Sequence, residues 1–245
     1  MFFFFKRSVI TVDAFTNNAA AYHHYPITSS IKMIPDWWKS MQYKSMQPSS
    51  IVQGLDLPTS TLKNCPGIID LYRLGICLPL WGDLVLNNTD DRIFGAVLNG
   101  PPSDMHPRYQ YDPGFKEFNH IKLSSPWNLV ERTGIKWLEL PTLWNTLPQA
   151  SDLHVLLGSL SFNLTHSTNV NIFMKKTQPQ VLHLKAGTPI TQLVPLSEKK
   201  VALKLHQLTD MEFYEKFKLS TSQPSLTNIY RKRVRLMGNR CPFKT

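Results

Sequence analysis

Histidine and cysteine are the residues in this chain most suited to holding a metal ion, so their spacing is the first question. The histidines are His23, His24, His106, His120, His154, His166, His183 and His206, and the cysteines are Cys65, Cys77 and Cys241. None of the histidines forms an HxH or HExxH pattern and no cysteines form a CxxC pair, the spacings that bring ligands together locally. We predict no metal ion, no cofactor and no disulfide framework.

The common catalytic motifs are also missing. Asp90 and Asp91 adjoin in a turn-prone stretch, where aspartate is frequent because it hydrogen-bonds to nearby backbone amides. Acid–base catalysis instead requires carboxylates that converge from separate elements on one substrate. The sequence contains no GxSxG, GxGxxG or Walker A stretch. We predict that the chain is not an enzyme.

One segment keeps an enzyme alternative open. Residues 185–194, KAGTPITQLV, resemble the late strand of dUTPase and nucleotide-deaminase folds and, loosely, the glycine turn of cupins. The resemblance implies a nucleotide- or small-molecule-processing enzyme, with polar groups converging near Gln192 and a histidine or carboxylate. A tight turn between two core strands explains the same residues, because glycine adopts positive φ and proline limits strand pairing. We favour the turn.

Composition favours a folded, mainly β chain. Hydrophobic residues make up 42% and charged residues 18%, below the roughly 25% charged residues of an average soluble domain. The 18 prolines and 11 glycines predict frequent turns rather than long helices. The six tryptophans, Trp37, Trp38, Trp81, Trp127, Trp137 and Trp144, are expected to anchor the core and interfaces.

About eight to ten strands are expected. We place them at 76–86, 92–98, 116–123, 128–131, 135–140, 153–163, 169–174, 180–184, 189–196 and 201–208, with hairpins at 87–91 and 132–134 and loops at 42–60 and 99–115. Short helices are expected after Pro35 and over 68–74. Because no helix separates the strands, we predict an antiparallel β-sandwich, jelly roll or barrel.

The two ends differ from this body. Residues 1–15 are predicted to form an apolar arm that opens with Phe2, Phe3, Phe4 and Phe5 and is buried on the domain or in a neighbouring subunit. Lys6 and Arg7 follow the phenylalanines, which reverses the charge order of a secretory signal, and the run is too short to span a bilayer.

Residues 209–245 are predicted to form a helical, basic extension that follows a domain spanning 16–208. Thr209 and Glu212 fit a capping box, and a second helix is expected over 226–237. The net charge of the chain is +10, and residues 225–245 contain no acidic residue. The basic side chains of that segment are Arg231, Lys232, Arg233, Arg235, Arg240 and Lys244. They suit nucleic acid, an anionic membrane or an acidic protein surface, which leaves a nucleic-acid-binding module as a further alternative.

A set of short stretches resembles an uncharacterised protein family of marine tailed phages, particularly cyanophages. These stretches are YPI at 25–27, IPDWWK at 34–39, TLKNCPG at 61–67, residues 76–83 with PLW at 79–81, SPW at 125–127 with Gly134 shortly after, and residues 187–195. The resemblance implies a phage gene product and brings no catalytic residues with it.

The sequence therefore predicts a structural protein of a tailed-phage virion, made in the host cytoplasm. The role is that of a capsid decoration or vertex protein, or a neck or tail component. Its partners are other virion proteins, including copies of itself, with packaged nucleic acid as a further contact of the carboxyl end and no membrane contact. The expected interface residues are Phe2, Phe3, Phe4, Phe5, Trp37, Trp38, Arg231, Lys232, Arg233 and Arg235.

Overall fold

The computed structural model describes residues 9–48, 54, 56–89, 93–97, 103–105, 114–142, 145, 152–176 and 180–221. Within these residues the chain is mainly β, as the sequence predicts, and contains seventeen strands. They are β1 Ile10–Thr16, β2 Thr28–Ser29, β3 Lys44–Pro48, β4 Asp56–Ser60, β5 Ile76–Pro79, β6 Leu84–Asn88, β7 Ile93–Val97, β8 Ser103–Met105, β9 Phe118–Leu123, β10 Asn128–Glu131, β11 Trp137–Pro141, β12 Leu153–Val155, β13 Gly158–Leu160, β14 Val170–Lys175, β15 Gln180–Leu184, β16 Pro189–Pro195 and β17 Val201–Gln207.

Four α-helices lie at the edges of this β structure in the same residues. They are α1 Ala19–His23, α2 Asp36–Ser40, α3 Pro66–Leu74 and α4 Asp210–Thr221, and two 3₁₀ turns cover Ser30–Met33 and Leu62–Asn64. The expected helices after Pro35 and over 68–74 are confirmed as α2 and α3. Pro66 is the first residue of α3, where its fixed φ suits a first turn and its missing N–H costs nothing, whereas Pro35 directly precedes α2 as its N-cap residue. None of the described helices is long and apolar enough to cross a membrane.

The described strands form five sheets, in the orders β13-β11-β16-β5-β2, β12-β14-β9-β8, β10-β1-β17, β15-β6-β7 and β3-β4. The five-stranded sheet, called here the central sheet, is antiparallel throughout, with β16 as its middle strand. Every residue of β16 is buried, which fits a strand covered on both faces. Antiparallel pairing is therefore the rule in this chain, as short connections between strands predict.

One pair of strands is parallel and joins distant parts of the chain. β1 pairs with β17 from Ile10–Val201 to Thr16–Gln207. Alternate residues of β1, namely Ile10, Val12 and Ala14, are fully buried. The predicted arm boundary at residue 15 is therefore wrong, because the chain from Ile10 onward is a core strand. Residues 1–8 lie outside the part of the chain that the structure describes.

One of the two predicted hairpins is present, and both predicted loops contain strands. The hairpin at 87–91 is confirmed, since β6 pairs with β7. The hairpin at 132–134 is wrong: β10 pairs with β1, whereas β11 pairs with β13 and β16. The Glu131 carboxylate accepts hydrogen bonds from the Thr133 and Gly134 amides and so closes a turn that carries the chain between two sheets. The expected loops at 42–60 and 99–115 contain the β3–β4 hairpin and β8 respectively.

Helix α4 packs back onto the β structure. Its predicted capping box is confirmed, because Glu212 Oε2 accepts from the Thr209 amide at 2.8 Å and Thr209 Oγ1 accepts from the Glu212 amide at 3.3 Å. Phe217 is 2% exposed and lies against Phe15 of β1 and His166. The first part of the predicted extension is thus docked on the body, and residues 222–245, with the second predicted helix, lie outside the described residues.

Candidate functional site

A cleft of about 230 Å³ opens between α3 and the central sheet, and we call it the Gln192 cleft. Its lining is almost wholly apolar apart from Tyr72, Thr142 and Gln192, and consists of Ile68, Leu71, Tyr72, Leu140, Pro141, Thr142, Leu157 and Gln192. Leu157 stands exposed at its rim. The cleft exists because Leu140 and Gln192 point away from the main core, toward α3, while their strand neighbours Glu139 and Leu193 point into it.

Gln192 holds α3 to the sheet. Its Nε2 donates to the main-chain carbonyl of Leu71 at 2.5 Å. This bond passes beside Gly75, where the helix ends and β5 begins. The side-chain amide of Gln192 therefore serves to join α3 to the central sheet at the floor of the cleft.

Two titratable groups at the cleft, Tyr72 in its lining and Cys77 beside Gln192 on β5, are neutral at pH 7. Burial raises the pKa of Tyr72 to about 12, with a smaller contribution from Cys77. Burial also raises the pKa of the fully buried Cys77 thiol, so this sulfur is not a thiolate nucleophile at neutral pH. The cleft can accept an apolar group and offer it hydrogen bonds, and the lining residues that the structure describes include no charged acid or base.

The enzyme alternative predicts a pocket where Gln192 meets a histidine or a carboxylate. Gln192 does line a pocket, yet no histidine or carboxylate stands among the lining residues of the described chain. Two carboxylates adjoin this lining in the sequence: Asp70 of α3 lines a different depression, and Glu139 lies on the opposite face of the central sheet from Gln192. The strand alternation therefore separates the two groups that the alternative needs together.

Glu139 is the most perturbed carboxyl group in the described residues. It is 5% exposed, and burial raises its pKa to about 7, partly offset by Thr191. Thr191 Oγ1 donates to the carbonyl of Leu140 at 3.0 Å and, at the longer distance of 3.4 Å, to Glu139 Oε1. The sequence contained a signal for this burial, since Glu139 alternates with Trp137 on one face of β11.

The segment 185–194 forms the tight turn that we favoured for it. Gly187 has a φ of +83° between β15 and β16 and packs against the Tyr25 ring. Asp83 secures the turn, with Oδ1 accepting from the Ala186 amide and Oδ2 from Lys185 Nζ, each at 2.9 Å. The backbone hydrogen bond, followed by Lys185, lowers the pKa of Asp83. The role of these residues is therefore to connect β15 to β16 through a turn that Asp83 stabilises.

A group of large apolar side chains is exposed around α2 and the β3–β4 hairpin. Trp37, Tyr43, Met46 and Leu62 make up this group, which we call the α2–hairpin surface. Lys63 ties its segments together by donating to the carbonyls of Lys39 and Met41 at 2.7 and 2.8 Å, and its ammonium lies 4.8 Å from the centre of the Tyr43 ring. The surface is therefore a fixed feature of the fold. The sequence did not predict this surface, because residues 42–60 are polar and contain prolines, which is typical of a loop.

The predicted interface residues have different positions. Trp37 is 38% exposed on the α2–hairpin surface, and its interface role stays a prediction. Trp38 is 4% exposed and its ring lies against Tyr72, so it belongs to the interior of the chain and cannot present a surface to a partner. Its assignment to an interface is wrong, because successive residues of a short helix point to different faces. Phe2 to Phe5 and Arg231, Lys232, Arg233 and Arg235 lie outside the described residues.

A cluster of aromatic and charged groups lies beneath α4. The Phe15 ring stacks on His206 at 4.6 Å between centroids, and Lys216 Nζ lies 4.4 Å from the same ring. His206 Nε2 is 2.9 Å from Asp13 Oδ1, and Asn17 donates to Asp210 at 2.8 Å. These contacts bind the helix to the outer face of the β1–β17 pair.

Among the described residues, no group of three or more His, Cys, Asp or Glu side chains is arranged to hold a metal ion. Comparison of the chain with protein-family models, curated proteins and solved structures found no match.

Proposed function

We propose that this chain is a structural protein of a tailed-bacteriophage particle and that it acts through contacts between subunits. The resemblance of its short stretches to a family of marine tailed phages supports the phage origin. We also propose that its antiparallel sheets pack as a sandwich or jelly-roll-like body, since stacked sheets are the usual way to bury two-sided strands such as β16.

The observation that carries the contact role is the α2–hairpin surface. Tyr43 is 62% and Met46 60% exposed at the β3–β4 hairpin, and Trp37 is 38% exposed on the preceding helix α2. Neighbouring exposed aromatic and methionine side chains are enriched in protein interfaces, whereas isolated ones are ordinary. A subunit that meets its neighbours through this surface would bury it on assembly.

The carboxyl end supports a second contact. Helix α4 packs on the body through Phe217, and the basic residues follow it in the sequence. We propose that Arg231, Lys232, Arg233 and Arg235 contact an acidic neighbour or packaged nucleic acid. The role proposed for this segment is an electrostatic contact.

Quantitative mass spectrometry of gradient-purified particles tests the virion role. The source phage should carry the chain in a fixed ratio to its major capsid protein, and the ratio should survive further rounds of purification. Absence from the particle, or a ratio that falls with each purification, would contradict the proposal.

The contact surface is tested with a matched pair of variants. Met46→Asp places a charge on the α2–hairpin surface, and Val181→Asp places one at a similarly exposed position (56%) of β15, a strand at the edge of its sheet. We expect Met46→Asp particles to lose the protein and Val181→Asp particles to keep it. Equal incorporation of the two variants would show that this surface is not the contact.

A further inference from the structure

One face of the sheet β12-β14-β9-β8 turns away from the core and carries aromatic rings. Ile121 of β9 and Ile172 and Met174 of β14 are buried in the core, so the residues that alternate with them point to the opposite face. Polar side chains are usual on the face of an antiparallel sheet that leaves the core. Here that face, together with the turn before β9, carries the rings of Phe115, Phe118, His120, His154 and Phe173, and we call it the β9–β14 face.

The rings of the β9–β14 face pack around Phe173. The strand register sets His120 and His154 on either side of it, one on each neighbouring strand. The Phe115 ring stacks on the Phe173 ring, with 5.0 Å between the centroids and 25° between the planes, and Phe118 lies 6.0 Å from the Phe173 centroid. Phe115 is 49% exposed, so this stack ends in a ring that solvent reaches.

Three lysines lie close to the exposed Phe115 ring. Lys116 follows Phe115 directly in the sequence, and Lys176 Nζ donates to the carbonyl of Lys116 at 2.8 Å. Lys175 is exposed and pairs with Phe118 at the start of β9. These ammonium groups therefore surround the turn that carries the ring.

Acidic groups do not cancel this charge at the Phe115 end of the face. Residues 114–123 and 170–176 include one acidic residue, Glu117, which is exposed in the turn. At the far end of the face, the register sets Asp104 of β8 opposite Lys122. The excess of positive charge therefore lies beside the exposed ring.

We propose that the β9–β14 face binds single-stranded nucleic acid, with a base stacked on Phe115. Unpaired bases stack on aromatic side chains whatever their identity, and sheets that bind single strands present such rings on an open face. The phosphates of the same strand contact Lys116, Lys175 and Lys176, which adds a salt-dependent attraction. An uncharged apolar partner would match the rings but not the ammonium groups, so the combination favours a nucleic acid.

Fluorescence anisotropy with the purified full-length chain and a labelled oligothymidylate of about 12 nucleotides tests the stacking contact. Phe115→Ala should weaken binding at least about fivefold, whereas Phe115→Trp keeps a ring and should bind like the wild type. Tyr43→Ala is the control, because Tyr43 is a similarly exposed ring, 62%, on a different sheet, and it should leave the Kd unchanged. Absence of binding by the wild type, a wild-type Kd for Phe115→Ala, or equal losses in the alanine variants would overturn the proposal.

A matched pair of lysine variants tests the phosphate contact. The slope of log K against log salt concentration should fall by about 0.7 in Lys175→Gln, because one phosphate contact is lost. Lys44→Gln removes an equally charged, exposed side chain from β3 and should leave the slope unchanged. Equal slopes for the two variants would contradict a phosphate contact on the β9–β14 face.

The basic carboxyl end is the other place where nucleic acid could bind, and a neutralised background separates the two. The Phe115→Ala comparison is repeated in a chain with glutamine at the four basic positions Arg231, Lys232, Arg233 and Arg235. The loss caused by Phe115→Ala should persist in this background. Complete loss of binding on neutralisation alone would overturn the proposal in favour of the carboxyl end. The result does not depend on the virion role, because the isolated chain is the sample.

Discussion

The side-chain amide of Gln192 donates a hydrogen bond to the main-chain carbonyl of Leu71. It passes so close to the backbone of Gly75 that there is no room for a side chain at that position. The hydrogen bond is 2.5 Å long, and Gly75 lies directly beside it. Three features of the fold meet at this point: the carboxyl end of α3, the start of β5 and the middle strand of the central sheet. The glycine thus allows helix and sheet to approach closely enough for one side chain to join them.

Replacing Gly75 with alanine should break this arrangement. The added Cβ would lie 2.6 Å from Gln192 Nε2, 2.9 Å from Ser30 Oγ and 3.0 Å from the Leu71 carbonyl oxygen. We expect Gly75→Ala to lower the free energy of unfolding by about 2–4 kcal/mol, measured by urea denaturation. Gly67→Ala is the control, since a Cβ there meets nothing within 4 Å, and its effect should stay within about 1 kcal/mol. Similar losses in the two variants would contradict the explanation.

Glu139 should make the stability of the chain depend on pH near neutrality. Its folded pKa of about 7 lies above the ordinary value of 4.5, so the folded state binds the proton more tightly than the unfolded state. The resulting stabilisation is complete below pH 4.5 and is lost as the pH rises through about 7. Glu139→Gln keeps this site neutral and should exceed the wild type in stability at pH 8, by up to about 3 kcal/mol. Denaturant titrations across this pH range provide the measurement. Glu117→Gln is the control, because it removes the same charge from an exposed turn. An equal gain in stability at pH 8 from this variant would show that the effect comes from net charge and not from the burial of Glu139.

Phe217 should control whether α4 stays docked. Its buried ring contacts Phe15, His166 and Phe213, and a Phe→Ala change at a buried site costs about 3 kcal/mol or more. We expect Phe217→Ala to speed amide hydrogen exchange throughout α4 while leaving the central sheet protected. Tyr214→Ala, at a position of the same helix that is 61% exposed, should change little. Unchanged exchange in Phe217→Ala would show that other contacts hold the helix.

Asp83 should stabilise the chain at neutral pH and lose this effect in acid. Its pKa lies below the ordinary value of 3.8 because Ala186 and Lys185 donate to its carboxylate. The contribution is therefore present above pH 3.8 and disappears as the pH falls through the lower folded value. Asp83→Asn should lower the melting temperature at pH 7, and the two proteins should converge at acid pH. Asp36→Asn is the comparison, because the ion pair of Asp36 with Lys39 is local to one helical turn and highly exposed, and it should have a smaller effect. A larger effect of Asp36→Asn would contradict this order.

Local patterns in the sequence predicted many elements but not their partners. The proline before α2, the proline and glycine that bound α3, and the Thr209–Glu212 box each identified a helix. The β6–β7 hairpin followed from its turn residues. The β10–β11 hairpin did not form, although Gly134 adopts the positive φ expected of a turn, because a turn fixes the direction of the chain and not the strand with which it pairs.

By itself, the sequence determined the mainly β class, the short helices at proline and glycine, and the charge of the carboxyl end, because each depends on residues close together in the chain. Tertiary structure alone decided three other matters. It paired Ile10 to Thr16 with β17, placed Gln192 and Glu139 on opposite faces of one sheet, and buried Trp38 while leaving Trp37 at the surface. Each of these depends on which distant segment covers a residue. Local alternation, as in Ile10 to Thr16, can predict a strand, but it does not identify a partner almost 200 positions away.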